Sequence, residues 1–243
     1  MFRLIKFKFN SLLPGFVLGI LVSSLFFYAY ANPHVTSASD NPSPSSFLFQ
    51  DDFNDGNADG WELTGNGIWS VVNNEFVIEM GEGIELQGLA VAGEPAWDNF
   101  VFEVDIRGEA GVDKMLMARY VDAENWYALN LRSAPFNDLT LSREEGGIHT
   151  ILASVPFENE VGTWYHLIWG FKNGQVQVYF DEILLIDYED CGSELTNGRI
   201  GLLGFTGTWG FDRVTYDNVM VRQYPDLVSL LSPSFNFLPY IVK

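Results

Sequence analysis

Two carboxylates stand two residues apart in an alternating segment, and they are the first residues of this sequence whose spacing could support catalysis. The segment 100–107, FVFEVDIR, alternates apolar residues with Glu103 and Asp105. Alternate residues of a β-strand share a face, so their Cα atoms are expected about 6.6 Å apart. Such a pair could act as the acid and base of a hydrolysis. The same alternation is typical of a strand whose polar face meets water, so Glu103 and Asp105 are catalytic candidates only if the protein is an enzyme.

Other catalytic chemistry has little support in the sequence. No G-x-S-x-G motif is present, and Cys191 has no histidine near it in the chain. The three histidines, His34, His149 and His166, are dispersed and lack the spacing of zinc ligands. A single cysteine also excludes an intramolecular disulfide, so the folded part depends for stability on its core alone or on its core and a bound metal.

One predicted hairpin brings aromatic and polar residues to a common face. Its strands, 115–120 and 126–132, flank the polar turn 121–125, and pairing about Ala123 places Tyr120 opposite Trp126. This register predicts a core face of Met115, Met117, Arg119, Tyr127, Leu129 and Leu131, and a second face of Leu116, Ala118, Tyr120, Trp126, Ala128, Asn130 and Arg132. Small residues between an aromatic end and a polar end are typical of a groove for a polar, flat-faced ligand.

Two further aromatic residues are candidates for ligand contact. Tyr179 alternates with apolar residues in the strand-like segment 175–181. Trp209 lies in the loop sequence TGTWG, where a bulky ring has less structural reason to occur. Aromatic rings stack on the C–H faces of sugar rings, while amides, carboxylates and guanidinium groups bond the hydroxyl groups, so these residue types suit a neutral carbohydrate.

The segments that must position these residues are strands. Between residues 47 and 222, apolar alternation over five to eight residues recurs, separated by Gly, Asn-Gly and Asp-containing turns, and helical periodicity is nearly absent. The turn 172–174, Lys-Asn-Gly, predicts a hairpin between the flanking strands. Many strands without crossover helices predict an all-β domain, either an antiparallel sandwich or a barrel.

The charge of the chain excludes one large class of partners. The 243 residues include 13 Lys+Arg and 32 Asp+Glu, for a formal net charge of −19. Nucleic-acid binding needs a basic surface that neutralises phosphates, and the basic residues here are scattered. A neutral or cationic ligand is therefore expected.

Both ends of the chain differ in composition from the middle. Residues 1–31 combine a basic start, an apolar run and a final Ala-Tyr-Ala, which predicts an export signal or an uncleaved N-terminal membrane anchor. Residues 32–46 are rich in Pro, Ser and Asn and predict an extended linker. Residues 47–224 form the predicted folded domain, followed by an apolar, proline-containing tail at 225–243. Both interpretations of the first segment predict a secreted or cell-surface domain.

Taken in order, the motifs of residues 47–224 resemble a known family. The chain is similar to the concanavalin A-like jelly rolls, in the laminin-G-like branch that includes the 3-keto-disaccharide hydrolase domain of secreted bacterial proteins. The resemblance rests on the series DDF at 51–53 with Trp61 and Trp69, FVFEVDIR at 100–107, MARYVDAENWYALNL at 117–131, GTWYHL at 162–167, VQVYFDEILL at 176–185, GRIGLLGF at 198–205 and DNV at 217–219.

The resemblance implies an antiparallel two-sheet β-sandwich of jelly-roll type. It also implies a structural calcium ion, for which Asp51 and Asp52 of the first strand and Asp217 of the last strand are the expected ligands; Asp/Asn/Gly clusters of this kind are equally ordinary in turns. The acids at 103, 105 and 109 are similar to the Glu-x-Asp-x-x-Glu motif of family-16 glycoside hydrolases. Glu109 lies one residue too far along, so the usual nucleophile and acid do not transfer.

Three functional hypotheses follow. The first is carbohydrate binding on a concave face by Tyr120, Trp126, Asn130, Arg132, Tyr179 and Trp209 together with Glu103 and Asp105. The second is cleavage of glycosides, including keto-disaccharides, through Glu103 and Asp105. The third is an adhesion module with a protein partner. The fold allows all three, because function depends on the site and not on the fold.

Overall fold

Fifteen strands and no helices make up the described part of the chain. The computed structural model describes residues 47–208 and 210–224. The predicted export signal, linker and apolar tail, and Trp209, lie outside the described residues. The strands are β1 (Phe47–Asp51), β2 (Glu62–Gly65), β3 (Ile68–Val72), β4 (Glu75–Met80), β5 (Gln87–Ala92), β6 (Phe100–Ala110), β7 (Asp113–Asp122), β8 (Asn125–Arg132), β9 (Asp138–Glu145), β10 (Ile148–Pro156), β11 (Trp164–Lys172), β12 (Gln175–Phe180), β13 (Ile183–Glu189), β14 (Arg199–Phe205) and β15 (Asp212–Gln223).

These strands form two antiparallel sheets. The first sheet has eight strands in the order β13-β12-β11-β6-β15-β4-β3, with β1 also paired to β15. The second sheet has seven strands in the order β10-β9-β8-β7-β14-β5-β2. The prediction of an all-β, two-sheet jelly-roll sandwich is therefore confirmed, and the alternative of a barrel is wrong.

The core lies between the sheets and is built by alternation. In β6 every second residue from Phe100 to Ile106 is buried, and in β8 Tyr127, Leu129 and Leu131 are buried against them. The ring of Tyr127 in the second sheet meets Phe171 of the first sheet edge to face, with 5.5 Å between the ring centroids. Burial of each such large apolar side chain stabilises the fold by about 1.5–3 kcal/mol.

The β7–β8 hairpin departs from the predicted register. Asp122 pairs with Asn125 beside the turn, but Ala118 pairs with Tyr127, so the ladder shifts between these positions. The irregularity falls at Arg119, which has a φ of 47°. A bulge of this kind changes which face the following residues point to.

The bulge reverses part of the predicted face assignment. Leu116 and Ala118 lie in the core, and Met115 and Met117 lie on the outer face, opposite to the prediction. Arg119 points inward as predicted, because its guanidinium donates to the carbonyl oxygens of Leu195 and Asp98, both at 3.2 Å. The rest of the predicted face assignment is confirmed. The core residues of β8 are Tyr127, Leu129 and Leu131. The outer face carries Tyr120, Trp126, Ala128, Asn130 and Arg132.

The described part of the chain was expected to contain strands and no membrane-spanning helix. Within residues 47–208 and 210–224, no helix is long and apolar enough to cross a membrane.

Candidate functional site

The outer face of the second sheet contains a groove of about 480 Å³. Residues from all seven strands of the sheet and from the β7–β8 turn line it. Its volume is within the range of about 300–1,000 Å³ that small-molecule sites occupy. Four of the predicted ligand-binding residues line it: Tyr120, Trp126, Asn130 and Arg132. We call it the outer-face groove.

One end of the outer-face groove is aromatic. Trp126 donates from Nε1 to the carbonyl oxygen of Ala123 at 3.1 Å, which fixes the indole against the turn. His149 lies beside it, with 5.9 Å between the ring centroids. Tyr120 is half-buried, and the Arg199 guanidinium lies 5.7 Å from its ring centroid. Burial raises the pKa of Tyr120, so its hydroxyl is protonated and available as both donor and acceptor at neutral pH.

The other end of the groove is polar and held by charges. Asn130 Nδ2 donates to Asp113 Oδ1 at 2.7 Å, which fixes the orientation of the amide. Arg132 donates from two nitrogens to both oxygens of Asp138, at 2.7 and 2.5 Å. These hydrogen bonds raise the pKa of Arg132, whereas burial raises the pKa of Asp113. Because the amide and the guanidinium are held in place, both can bind a ligand with little loss of side-chain entropy.

The amide oxygen of Asn130 is the groove's unsatisfied polar group. Oδ1 is buried, and no donor among the described residues bonds to it. A buried acceptor without a partner costs about 1–3 kcal/mol. A rotation of the Asn130 side chain that exposes Oδ1 to the groove would let it accept from a hydroxyl or amide donor of a ligand. Since Asp113 accepts from Nδ2, the acceptor side of the amide is the side left available.

The structure separates the remaining predicted residues from this groove. Glu103 and Asp105 lie on β6 and Tyr179 lies on β12, and both strands belong to the first sheet. The outward-facing residues of two stacked sheets are on opposite sides of the molecule. The prediction that these three residues share one face with Tyr120, Trp126 and Arg132 is therefore wrong, because strand alternation specifies a face and not a sheet.

The carboxylates of Glu103 and Asp105 are both bonded to neighbouring side chains. Glu103 forms an ion pair with Arg222 of β15, and its second oxygen lies 4.0 Å from His166 Nε2. Asp105 bonds His166 Nδ1 and Asn218 Nδ2, both at 2.7 Å. Burial raises the pKa of Asp105, but the hydrogen bonds from His166 and Asn218 outweigh it and the net shift is downward. The bond to Asp105 raises the pKa of His166 in turn.

Glu109 is likewise engaged. It accepts from Arg107 at 2.8 Å, Arg213 at 2.6 Å and Thr215 at 2.9 Å. Burial raises the pKa of Glu109, and these three bonds outweigh it, so the carboxylate stays ionised. In the structure, Glu109 ties β6 to β15 through its bonds to Arg213 and Thr215.

The predicted calcium ligands do not form a metal site in the described part of the chain. Asp51 accepts from the Phe53 backbone N–H and from Trp61 Nε1, both at 2.9 Å, so its two oxygens hold the first turn together. Asp217 accepts from the backbone N–H of Asn218 at 2.7 Å, and burial raises its pKa. Asp51 and Asp52 line a second cavity of about 380 Å³. Among residues 47–208 and 210–224, no three His, Cys, Asp or Glu residues are grouped so that they could hold a metal ion.

Sequence reasoning missed the apolar half of the outer-face groove. Met115, Met117, Leu89 and Leu203 line it, next to the hydroxyl-bearing Thr140 and Ser142. The available signal was the loss of alternation in three strands, where outward positions are apolar as well as inward ones: QGLAVA in β5, MLMA in β7 and GLLGF in β14.

Comparison with solved structures supports the assignment of the fold. The carbohydrate-binding module CBM66 from Bacillus subtilis superposes with a TM-score of 0.57 at 23% identity, covering 68% of this chain and 96% of that one. A Bacillus subtilis protein of unknown function with a galectin-like fold gives a TM-score of 0.59 at 15% identity, with 73% and 96% covered. The VIP36 exoplasmic/lumenal domain in a Ca²⁺/Man₃GlcNAc-bound form gives 0.56 at 15% identity, with 72% and 87% covered. These likenesses, with the two-sheet architecture, show that the fold is a jelly-roll β-sandwich.

The family follows from the sequence of the same region. The family model of the 3-keto-alpha-glucoside-1,2-lyase-like domain matches residues 48–222, and the chain belongs to this family. An extracellular exo-alpha-L-arabinofuranosidase from Streptomyces chartreusis is 29% identical over 157 residues. That match covers 63% of this chain but only 18% of the enzyme.

Proposed function

We propose that this protein binds a neutral carbohydrate in the outer-face groove. One observation carries the proposal: aromatic rings at one end and a fixed amide and guanidinium at the other line the same groove. Tyr120 and Trp126 offer ring faces to the C–H surface of a sugar, while Asn130 and Arg132 offer an acceptor and donors to its hydroxyl groups. The carbohydrate-binding module CBM66 and the Man₃GlcNAc-bound VIP36 domain, which share this fold, support that role.

The charge of the groove favours an uncharged sugar. The guanidinium of Arg132 is paired with the carboxylate of Asp138, so its charge is already matched and is not left for an anionic ligand. Acidic polysaccharides would also meet the overall negative charge of the chain.

A matched pair of tyrosine variants tests the proposal and the face that it uses. Tyr120 and Tyr179 are both half-buried tyrosines on outward faces, but on opposite sheets. We expect Tyr120→Ala to weaken binding of the best polysaccharide from a glycan array by about tenfold, since aromatic contacts are worth about 1 kcal/mol or more. Tyr179→Ala should leave the affinity within about twofold. Isothermal titration calorimetry measures both.

The opposite pattern, with Tyr179→Ala impaired and Tyr120→Ala unaffected, would place binding on the first sheet. Failure of the unmodified chain to bind any neutral glycan on the array and any simple glycoside would refute the proposal altogether.

Glycoside cleavage is the second candidate function, favoured by membership of a lyase-like family and by the arabinofuranosidase relative. In the form predicted from the sequence, Glu103 and Asp105 act as acid and base. Their ion pair with Arg222 and hydrogen bonds to His166 and Asn218 give both carboxylates a structural role as well. Release of reducing sugar from disaccharides and 3-keto-disaccharides, measured for the unmodified chain, Glu103→Gln and Asp105→Asn, tests it: equal rates in all three would contradict catalysis by these residues.

We also propose that the domain acts outside the cytoplasm. The predicted export signal supports this, and so does the extracellular relative. Cell fractionation with an antibody against the folded domain tests it, and recovery in the cytoplasm alone would contradict it. An adhesion role with a protein partner remains a third hypothesis.

A further inference from the structure

The outer-face groove is divided lengthwise into an apolar half and a polar half. Met115 pairs with Asn130 and Met117 pairs with Ala128, so the division runs between β7 and β8. The outward positions of β5, β7 and β14 are apolar over most of the groove, whereas β8 and β9 contribute amide, guanidinium and hydroxyl groups. A ligand that lies across the strands therefore meets the two halves at the same time.

The apolar half is a hydrophobic cluster distinct from the core. Leu89, Met117 and Leu203 are less than 10% exposed although they lie on the outside of the sheet, and Met115 and Trp126 pack against them. The outer face of an antiparallel sandwich is normally polar, because water covers it. These side chains line one half of the outer-face groove, so a ligand in it meets apolar groups along that half.

The polar half is suited to a single hydroxyl-rich group. Thr140 and Ser142 of β9 follow one another on the outward side, next to Asn130 and Ala128 of β8. The hydroxyl of Thr140 lies 3.3 Å from that of Ser154. Together with the unpaired amide oxygen of Asn130, these hydroxyl groups place donors and acceptors close together.

We infer that the outer-face groove binds amphiphilic glycosides, with the sugar ring on the polar half and an uncharged apolar aglycone on the apolar half. The inference rests on the proposed function and names its ligand class. A fully hydroxylated chain would place hydroxyl groups over Met115, Met117 and Leu203, where they find no polar partner and lose hydration. An alkyl or aryl aglycone instead buries apolar surface there, at about 25 cal/mol per Å².

A series of alkyl glycosides tests the inference. The full chain is titrated calorimetrically with methyl, butyl and hexyl β-D-glucopyranoside, and with methyl and butyl α-L-arabinofuranoside, below the concentrations at which micelles form. Each methylene that becomes fully buried can raise the affinity by at most about fourfold. From the methyl to the butyl glycoside of one sugar series, we therefore expect the affinity to increase at least about tenfold. Hexanol alone should compete weakly, because it lacks the sugar ring.

Two methionine variants locate the effect. Met115→Gln places an amide on the apolar half and should reduce the methyl-to-butyl ratio to less than about threefold. Met220→Gln is the matched control, because Met220 is a half-buried methionine on β15 of the first sheet, and it should keep the tenfold ratio.

Each other outcome counts against the inference in a distinguishable way. Equal affinities for methyl and butyl glycosides, in a chain that binds a polysaccharide, would overturn this inference and leave the proposed function standing. Hexanol or an apolar peptide binding as tightly as hexyl glucoside would show a purely hydrophobic partner site and overturn it. Absence of binding to glycosides and polysaccharides alike would overturn both proposals.

Discussion

At the scale of single residues, Asn130 connects the fold to the proposed ligand. Its donor side is taken by Asp113 at 2.7 Å, and its acceptor side is buried without a donor from the described chain. Asp113 therefore acts as a positioning residue, because an amide without that bond could rotate and present its N–H₂ group instead.

We expect Asn130→Ala to lower carbohydrate affinity by about five- to tenfold, the value of one hydrogen bond of about 1 kcal/mol. Asp113→Asn should keep most of the affinity, because its own amide oxygen can still accept from Asn130. Calorimetric titration of both variants checks this, and equal losses in the two variants would contradict the expectation for Asp113→Asn.

Asp212 is a second residue with a measurable consequence. It is fully buried, accepts from the Phe205 backbone N–H at 3.1 Å and has Lys114, Asp113 and Tyr216 as its charged or titratable neighbours. Burial raises the pKa of Asp212 to about 8, against the opposing effect of the Lys114 charge. Burial lowers the pKa of Lys114 at the same time.

The pKa of Asp212 predicts a pH dependence of stability. The unfolded chain loses this proton near pH 4 and the folded chain holds it up to about pH 8, so the folded state binds more protons between these values. The contribution of Asp212 to the free energy of unfolding therefore falls as the pH rises from 4 to 8. Asp212→Asn removes this contribution. The free energy of unfolding of the variant, minus that of the unmodified chain, should therefore rise by at least about 1 kcal/mol between pH 5 and pH 8.

Urea denaturation followed by tryptophan fluorescence at the two pH values measures the effect. The exposed Asp59→Asn variant is the control and should follow the unmodified chain. If Asp212→Asn also follows it, the predicted ionisation of Asp212 is contradicted.

At the scale of elements, the β7–β8 hairpin shows how one irregular residue decides a surface. The bulge at Arg119 sends that side chain into the interior, where its guanidinium lies 4.8 Å from the Phe171 ring centroid. Because the bulge adds one residue to the strand, Tyr120 lies on the outer face together with Met117, three positions earlier. The aromatic end of the groove therefore depends on this bulge.

Gly198, the residue just before β14, leaves room for the bulge. Its φ is +149°, and a Cβ there would overlap the backbone of Arg119, with the Cα only 2.7 Å away. Gly198→Ala should lower the free energy of unfolding by about 2 kcal/mol, through strain and steric overlap. Gly192→Ala, where nothing lies within 4 Å of the added Cβ, should change it by less than about 0.5 kcal/mol. Equal stabilities in chemical denaturation would contradict this account of the bulge.

At the scale of the whole molecule, the fold is stabilised by inter-sheet packing and by ion pairs across the outer face of the first sheet. Arg107 and Arg213 join Glu75, Glu79 and Glu109 in one network that spans β4, β6 and β15. Such a network is worth more than isolated surface pairs, and it pairs five charges of a strongly acidic chain.

Calcium is a further test at this scale, because the sequence predicted it and the described residues do not form a site for it. Since the oxygens of Asp51 already accept hydrogen bonds from Phe53 and Trp61, we expect the melting temperature in calcium chloride to equal that in EGTA. Differential scanning calorimetry measures it. A rise of several degrees with calcium, lost in Asp51→Asn, would support the prediction made from the sequence.

The sequence alone determined the class of fold and much of one surface. Alternation in segments such as 100–107, together with turn signals such as Asn173-Gly174, is local information, and it predicted strands, hairpins and an antiparallel sandwich correctly. The composition of the β8 strand likewise predicted that Trp126, Asn130 and Arg132 share an outward face, because alternation within one strand fixes this.

Only the tertiary structure decided which of these faces belong together. β6 pairs with β11 and β15, and β7 pairs with β14, all through long-range contacts that no local pattern specifies. Glu103, Asp105 and Tyr179 were therefore placed on the wrong side of the molecule, and the bulge at Arg119 moved Met115 and Met117 into the groove. The physical reason is that side-chain alternation has a period of two, which records the face of a strand, whereas the free energy of packing distant strands selects the sheet.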